Sequence, residues 1–135
     1  MNTSTVSYQN NLRTEATHSR SGSKILTDAP VDNHGEGQNF SPTDLLATSL
    51  ASCMLTIMGI TANEHNIQLK QPEAEVLKVM NSAPRRVKEI QIVIRFPQSE
   101  LDEKSKNILE KAALTCPVAL SLNPEIKQKV AFKYE

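Results

Sequence analysis

Hydrophobic and polar positions alternate with period two near the start of the chain, where VSYQNNLRTEATH, SRSG and SKILTD predict a β-hairpin that turns at Gly22. The pattern changes at residues 41–65, SPTDLLATSLASCMLTIMGITANEH, which are apolar on nearly every side and predict one long helix. Ser41 is its predicted N-cap, Pro42 the first helical residue and Asp44 the third. A helix this apolar is buried on most sides, so a chain this short needs a partner subunit to surround it.

The second half of the chain returns to period two. EAEVLKVM and RRVKEIQIVIRF flank the turn-like NSAP and predict a second hairpin, with four large residues on one strand face: Ile90, Ile92, Ile94 and Phe96. ELDEKSKNILEKAAL predicts a helix that opens with Ser99 and Asp102 as a capping pair and ends near Thr115. PVALSL restarts a helix, and IKQKVAFKYE predicts a last strand. Strands, helix, strands, helices and strand indicate an α+β protein with a single domain over residues 1–135.

Composition narrows the classes of partner. Fifteen Lys and Arg residues balance fifteen Asp and Glu residues, and no block of like charge predicts a nucleic acid or a membrane surface as partner. The polar start MNTSTVSYQNNLR lacks the apolar core of a secretory signal, which favours the cytoplasm. Residues 45–63 carry no charge, but polar and small residues dilute them too far for a membrane span.

The two cysteines, Cys53 and Cys116, stand 63 positions apart (116 minus 53) without metal-ligand spacing, so we expect no metal and no cofactor. A cysteine in the middle of an apolar helix, such as Cys53, is by default a small buried hydrophobe. Cys116 directly precedes Pro117, at the predicted N-cap of PVALSL, where the helix dipole lowers a thiol pKa. The simpler alternative is that Cys116 only caps a kink that the proline imposes.

The segments around Cys53 and Cys116 resemble those of a known protein family. SPTDLLATSLASC, followed some sixty residues later by CPVALSL, resembles the OsmC/Ohr family of osmotically inducible and organic hydroperoxide resistance proteins. The resemblance covers nearly the whole chain. It implies an OsmC-like fold in which antiparallel sheets wrap around a central apolar helix, two protomers interlock as a homodimer, and paired cysteines lie in pockets at the dimer interface.

The resemblance also implies a mechanism. Cys53 would attack an organic hydroperoxide and become a sulfenic acid, Cys116 would resolve it as a disulfide, and an external dithiol would reduce that disulfide. Family members place an arginine on the first hairpin to activate the attacking thiol. The matching position is Arg13, whereas Arg20 is the weaker candidate because it lies in the turn.

One position departs from the family pattern. Peroxide-active members carry a glutamate directly after the proline, whereas this chain has Thr43 there and Asp44 one residue later. A shift of one residue rotates a helical side chain by about 100°, and Asp44 already caps the helix, so its catalytic role is open. The alternatives are a non-catalytic homodimeric binding module for a small apolar or thiol-reactive ligand, and a stress protein whose buried thiols are inert.

Overall fold

A computed structural model describes all residues, 1–135, as two compact units, Met1–Leu46 and Ala47–Glu135. The first unit holds three strands, β1 (Ser4–Tyr8), β2 (Arg13–His18) and β3 (Lys24–Asp28), and a 3₁₀ turn (Val31–Asn33). Helix α1 (Pro42–Glu64) begins in the first unit and continues into the second. The second unit adds β4 (Glu73–Ser82), β5 (Arg85–Phe96), α2 (Glu103–Leu114), α3 (Pro117–Ser121) and β6 (Lys127–Tyr134). The predicted α+β class is confirmed.

The first unit contains an antiparallel sheet in the order β1-β2-β3. Gly22 forms the predicted turn between β2 and β3 with φ +75°, a conformation that glycine adopts without strain. The structure adds a turn that the sequence pattern did not predict, at Asn10, Asn11 and Leu12, all with positive φ. Asparagine tolerates this left-handed conformation better than most residues. The predicted first strand is therefore two strands, and the hairpin is a three-stranded meander.

The loop between β3 and α1 folds tightly back on its own start. The Gly35 N–H donates to the Pro30 carbonyl at 2.9 Å. A Cβ atom on Gly35 would lie 1.7 Å from the Ala29 carbonyl oxygen, so no other residue fits there without a backbone shift. The residues that follow, up to Phe40, are thereby brought back beside the end of β3, where the Asp28 N–H donates to the Phe40 carbonyl at 3.1 Å.

Helix α1 begins as predicted. The Asp44 N–H donates to Ser41 Oγ at 3.0 Å and the Ser41 N–H donates to Asp44 Oδ2 at 2.9 Å, which is a reciprocal capping box. By length and composition alone the helix could cross a bilayer. Core helices pass the same test, and six residues of this one are buried: Ala47, Leu50, Ala51, Met54, Met58 and Ala62.

The second sheet, in the order β4-β5-β6, supplies the other side of the core. The four large residues that alternate along β5 from Ile90 to Phe96 are all buried, as predicted. Strands β4 and β5 pair antiparallel, but β6 pairs parallel to β5, so this sheet is mixed rather than wholly antiparallel. The reason is the connection: α2 and α3 lie between β5 and β6, and a crossover of that length returns a strand in the same direction.

The start of α2 differs from the prediction by three residues. Asp102 is the N-cap, and its Oδ1 accepts from the Ser105 N–H at 2.8 Å, so Ser99 and Asp102 are not a capping pair for this helix. Ser99 instead accepts from the Leu101 N–H through its hydroxyl, at 3.4 Å. Both residues can cap a helix, and the carboxylate nearer to the regular turns forms the cap. The helix ends at Leu114 with Thr115 as its C-cap, as predicted.

Candidate functional site

Cys53 and Cys116 meet within the second unit. Cys53 lies in the middle of α1 and is partly exposed, while Cys116 is the N-cap of α3 and is fully buried. The Cys53 thiol is close enough to Cys116 to raise its pKa, and both are free cysteines. The fold thus brings two residues that are 63 positions apart (116 minus 53) in the chain into the same apolar cluster. Of the two cysteines, Cys53 is the more exposed.

The electrostatics of Cys116 differ from the sequence prediction. Burial raises its pKa above the ordinary thiol value, since a thiolate loses its hydration in the core. The backbone N–H groups of Ala119 and Val118 lower the pKa, as expected at a helix start, and the neighbouring Cys53 raises it. The predicted lowering is therefore wrong in its net direction, because burial outweighs the helix terminus. Cys116 is a neutral thiol at neutral pH.

Arg13 lies within the first unit, where it meets a buried carboxylate. Its Nε donates to Asp28 Oδ1 at 2.7 Å and its Nη2 to Asp28 Oδ2 at 3.1 Å. The Asp28 side chain is 4% exposed and the Arg13 side chain 32%. Gln38 accepts a further bond from Arg13 Nη2 at 2.9 Å, and Asn39 Nδ2 donates to Asp28 at 3.0 Å. The Arg13 guanidinium, followed by Asn39, holds the pKa of the Asp28 carboxyl below its usual range.

Sequence reasoning missed Asp28. The signal that could have found it is the strand register: Arg13 on β2 is the partner of Asp28 on β3, in the hairpin that turns at Gly22. Counting outwards from that turn places the two side chains opposite each other. Both also line an open cavity of about 340 Å³ in the first unit, together with Glu36.

The remaining predicted site residues are Asp44 and Arg20. The Asp44 carboxylate takes part in the capping box with Ser41, as described above, and the Thr43 hydroxyl lies 3.2 Å from that of Ser41. Arg20 is exposed in the turn between β2 and β3. The catalytic roles assigned to Cys53, Cys116, Arg13 and Asp44 remain predictions.

The fold and the cysteine pair define a class of protein. The family model for OsmC-like proteins matches residues 35–131, so the chain belongs to that family. A solved structure from Psychrobacter arcticus 273-4, of a protein named for osmotic stress induction and a detoxification response, is 57% identical over 98% of this chain and 96% of that chain. Its TM-score is 0.93. Among curated proteins, none matches this sequence.

More distant structures share the fold. The organic hydroperoxide resistance protein OhrB of Bacillus subtilis is 20% identical, covers 98% of both chains and has a TM-score of 0.68. A Vibrio cholerae protein named for organic hydroperoxide resistance is 16% identical, with a TM-score of 0.71 over 98% of this chain and 92% of that chain. That structure carries captopril in one of its active sites. These neighbours show that the fold is shared with organic hydroperoxide resistance proteins.

Proposed function

We propose that this protein is a thiol-dependent peroxidase that reduces organic hydroperoxides. The observation that carries the proposal is the proximity of the Cys53 and Cys116 thiols, which lie in one apolar cluster and influence each other electrostatically. Two cysteines inert in a core have no need to touch, whereas a pair that cycles between thiols and a disulfide must meet. The division into one partly exposed and one buried cysteine supports the order of events, with Cys53 attacking first.

The chemistry balances in three steps. The Cys53 thiolate attacks one oxygen of the hydroperoxide and the O–O bond breaks, leaving Cys53 as a sulfenic acid while the departing alkoxide takes a proton to form an alcohol. The Cys116 sulfur then attacks the Cys53 sulfur, and the hydroxyl leaves with the Cys116 proton as water. An external dithiol reduces the disulfide to two thiols and is itself oxidised to a disulfide.

Arg13 is the activating cation in this proposal, and Arg20 has no part in it. A guanidinium stabilises both the thiolate and the negative charge on the departing oxygen. The assignment comes from the position of Arg13 in the family pattern. Asp44 forms the capping box with Ser41, and its part in catalysis stays a prediction.

We further propose that the working form is a cytoplasmic, interlocked homodimer in which residues 1–135 act as a single domain. The first unit exposes apolar side chains along its strands: Val6, Tyr8, Ile25 and Leu26. In α1, Ile60 is 51% exposed. Val6, Tyr8 and Ile25 share one face of the first sheet, since Val6 and Ile25 both pair with Ala16. Apolar residues on one exposed face mark an interaction site, and a second copy of the chain would cover them. Light scattering at micromolar concentration is expected to give twice the mass of the chain, and a monomer would remove this part of the proposal.

The peroxidase proposal is tested by trapping the sulfenic acid. The Cys116→Ser variant is mixed with one equivalent of an alkyl hydroperoxide in the presence of dimedone, which reacts with sulfenic acids. We expect a dimedone adduct on Cys53 within seconds, and none in the matched Cys53→Ser variant, in which only Cys116 remains. Absence of the adduct on Cys53, with the thiol still free, would overturn the proposal.

A second candidate is a binding module that holds a small apolar or thiol-reactive ligand without turnover. Two observations favour it: Thr43 stands where peroxide-active relatives have a glutamate, and the Vibrio cholerae neighbour has captopril, itself a thiol compound, in an active site. Calorimetry with captopril on the Cys53→Ser/Cys116→Ser double variant separates the two. A binding module keeps its affinity without thiols that cycle, whereas the peroxidase proposal requires that the thiols react.

A further inference from the structure

We propose that Asp28 is the positioning residue for Arg13, and that it replaces the glutamate missing at Thr43. The inference rests on the proposed function, in which Arg13 is the activating cation. Asp28 is suited to this task because both of its oxygens bind the same guanidinium, at 2.7 Å and 3.1 Å. A two-point contact fixes the orientation of the guanidinium plane as well as its position.

The carboxylate is itself held from several sides. Asn39 donates to it at 3.0 Å, and the Asp28 N–H donates to the Phe40 carbonyl at 3.1 Å. Its side chain is almost completely buried, so it has little freedom to follow a moving arginine. The loop that folds back through Gly35 provides both Asn39 and Gln38, and Gln38 fixes Arg13 Nη2. The arginine is therefore held against a rigid support.

The contacts occupy one edge of the guanidinium. Nε and Nη2 of Arg13 donate to Asp28 and Gln38, while Nη1 has no hydrogen-bond partner in the structure. The Arg13 side chain remains one-third exposed along an open cavity. An arginine that is bound on one edge and open on the other can present its remaining N–H groups to an anion. This is the arrangement that an activating cation requires.

A positioning role of Asp28 can be distinguished from an effect of its charge alone, because the two give opposite results when Asp28 loses its charge. In the proposed site, where Arg13 acts on Cys53, loss of the Asp28 charge alone would make the thiolate easier to form, because one like charge disappears. Loss of the support lets Arg13 leave its position, which makes the thiolate harder to form. If Asp28 acts only through its charge, its replacement by asparagine lowers the pH at which Cys53 becomes reactive. If Asp28 positions Arg13, the same replacement raises that pH.

The experiment measures the rate of Cys53 alkylation by iodoacetamide as a function of pH, in the full-length reduced protein. We expect Asp28→Asn and Arg13→Gln each to raise the pH of half-maximal rate by about one unit, with no further rise in the double variant. Glu36→Gln is the matched control, since Glu36 lines the same cavity without a hydrogen bond to Arg13. A downward shift or no shift in Asp28→Asn, while Arg13→Gln raises the midpoint, would overturn the inference.

A second readout does not depend on Cys53. The Arg13 Nε–H signal in a nitrogen-15 spectrum, assigned by its loss in Arg13→Lys, should be well dispersed in the wild type and collapse toward the free-arginine position in Asp28→Asn. If Arg13→Gln leaves the Cys53 profile unchanged, Arg13 is not the activating cation and the proposed function fails at that point. In that case the Arg13 Nε–H signal is the only test of the positioning role of Asp28. A signal that stays dispersed in Asp28→Asn would overturn that role.

The conservative variant covers the case in which Asp28→Asn does not fold. Asp28→Glu keeps the carboxylate, so we expect it to retain the dispersed Arg13 signal and an alkylation profile closer to the wild type than to Arg13→Gln. A folded Asp28→Glu protein without the dispersed signal would contradict the inference. Circular dichroism at the assay temperature establishes folding for every variant.

Discussion

The two units of the molecule differ in what they bury. In residues 1–46 the buried side chains are all polar, Thr27, Asp28 and Ser41, whereas every buried hydrophobic residue belongs to residues 47–135. The second unit therefore has a core of its own, built from α1, β5 and the helices that follow. The first unit is a sheet with exposed apolar residues and a charged cluster, and it depends on further contacts to be stable.

The two units also differ in the reactive and charged side chains that they hold. The second unit holds the thiol pair in apolar surroundings, and the first unit holds Arg13 with its carboxylate support. Burial raises the pKa of Cys116, while the ion pair lowers that of Asp28. In the second unit, burial sets the direction in which the pKa of Cys116 moves. In the first unit, the ion pair with Asp28 fixes the position of the Arg13 guanidinium.

The largest expected effect is on stability, from the same substitution in the two sheets. Ile92→Ala removes a side chain that is 1% exposed, and we expect a loss of about 2–5 kcal/mol in the free energy of unfolding. Ile25→Ala removes one that is 49% exposed in the single chain, so its loss should be below about 1 kcal/mol at a protein concentration low enough for the chain to be monomeric. Urea unfolding at one fixed protein concentration measures both. Equal losses would show that the two sheets do not differ as described.

The next effect is on catalysis. Arg13→Gln should lower kcat/KM for an alkyl hydroperoxide about 100-fold, as expected when one electrostatic group of the transition state is lost. Arg20→Gln is the matched control from the same hairpin, because Arg20 is exposed in the turn, and its rate should stay within about twofold of the wild type. Comparable losses in both variants would indicate a general charge effect rather than a specific cation.

The two thiols should react at different rates. Cys53 is partly exposed and Cys116 is fully buried with a raised pKa, so iodoacetamide at neutral pH should label Cys53 first, with Cys116 at least about tenfold slower. Labelling of Cys116 should increase only as the pH rises beyond the ordinary thiol range of about 8.5. Peptide mass analysis over time measures both rates. Faster labelling of Cys116 would contradict the account of burial.

The smallest effect is the pH dependence of stability that Asp28 contributes. Its pKa in the folded protein is lowered by Arg13, so the stabilisation is fully present above the unfolded value of about 3.9 and is lost as the pH falls through the folded value. The melting temperature of the wild type should therefore exceed that of Asp28→Asn at pH 6, and the gap should close toward pH 2.5. A gap that stays constant over this range would show that the charge is not responsible.

Most of the fold followed from local patterns. The capping residues Ser41 and Asp44 fixed the start of α1, and the alternation along β5 identified its buried face. The turn at Asn10–Leu12 was missed because NN is a weaker turn signal than glycine. The parallel pairing of β6 could not be predicted either, because it depends on where two helices return the chain.

The site was less predictable than the fold. Both cysteines were identified, but their proximity comes from tertiary structure, since no local pattern joins positions 53 and 116. The pKa direction of Cys116 was wrong because sequence shows the helix start but not the depth of burial. Asp28 was missed because its importance comes from strand register with Arg13, and no motif includes both residues.

The central claim is that Cys53 and Cys116 act as one redox couple. Its most direct test mixes the reduced wild-type protein with one equivalent of an alkyl hydroperoxide, quenches with an alkylating reagent after seconds, and reads the intact mass. The account predicts that both thiols escape alkylation together and that peptide mapping finds a disulfide between Cys53 and Cys116. Two thiols still open to alkylation after minutes would contradict it.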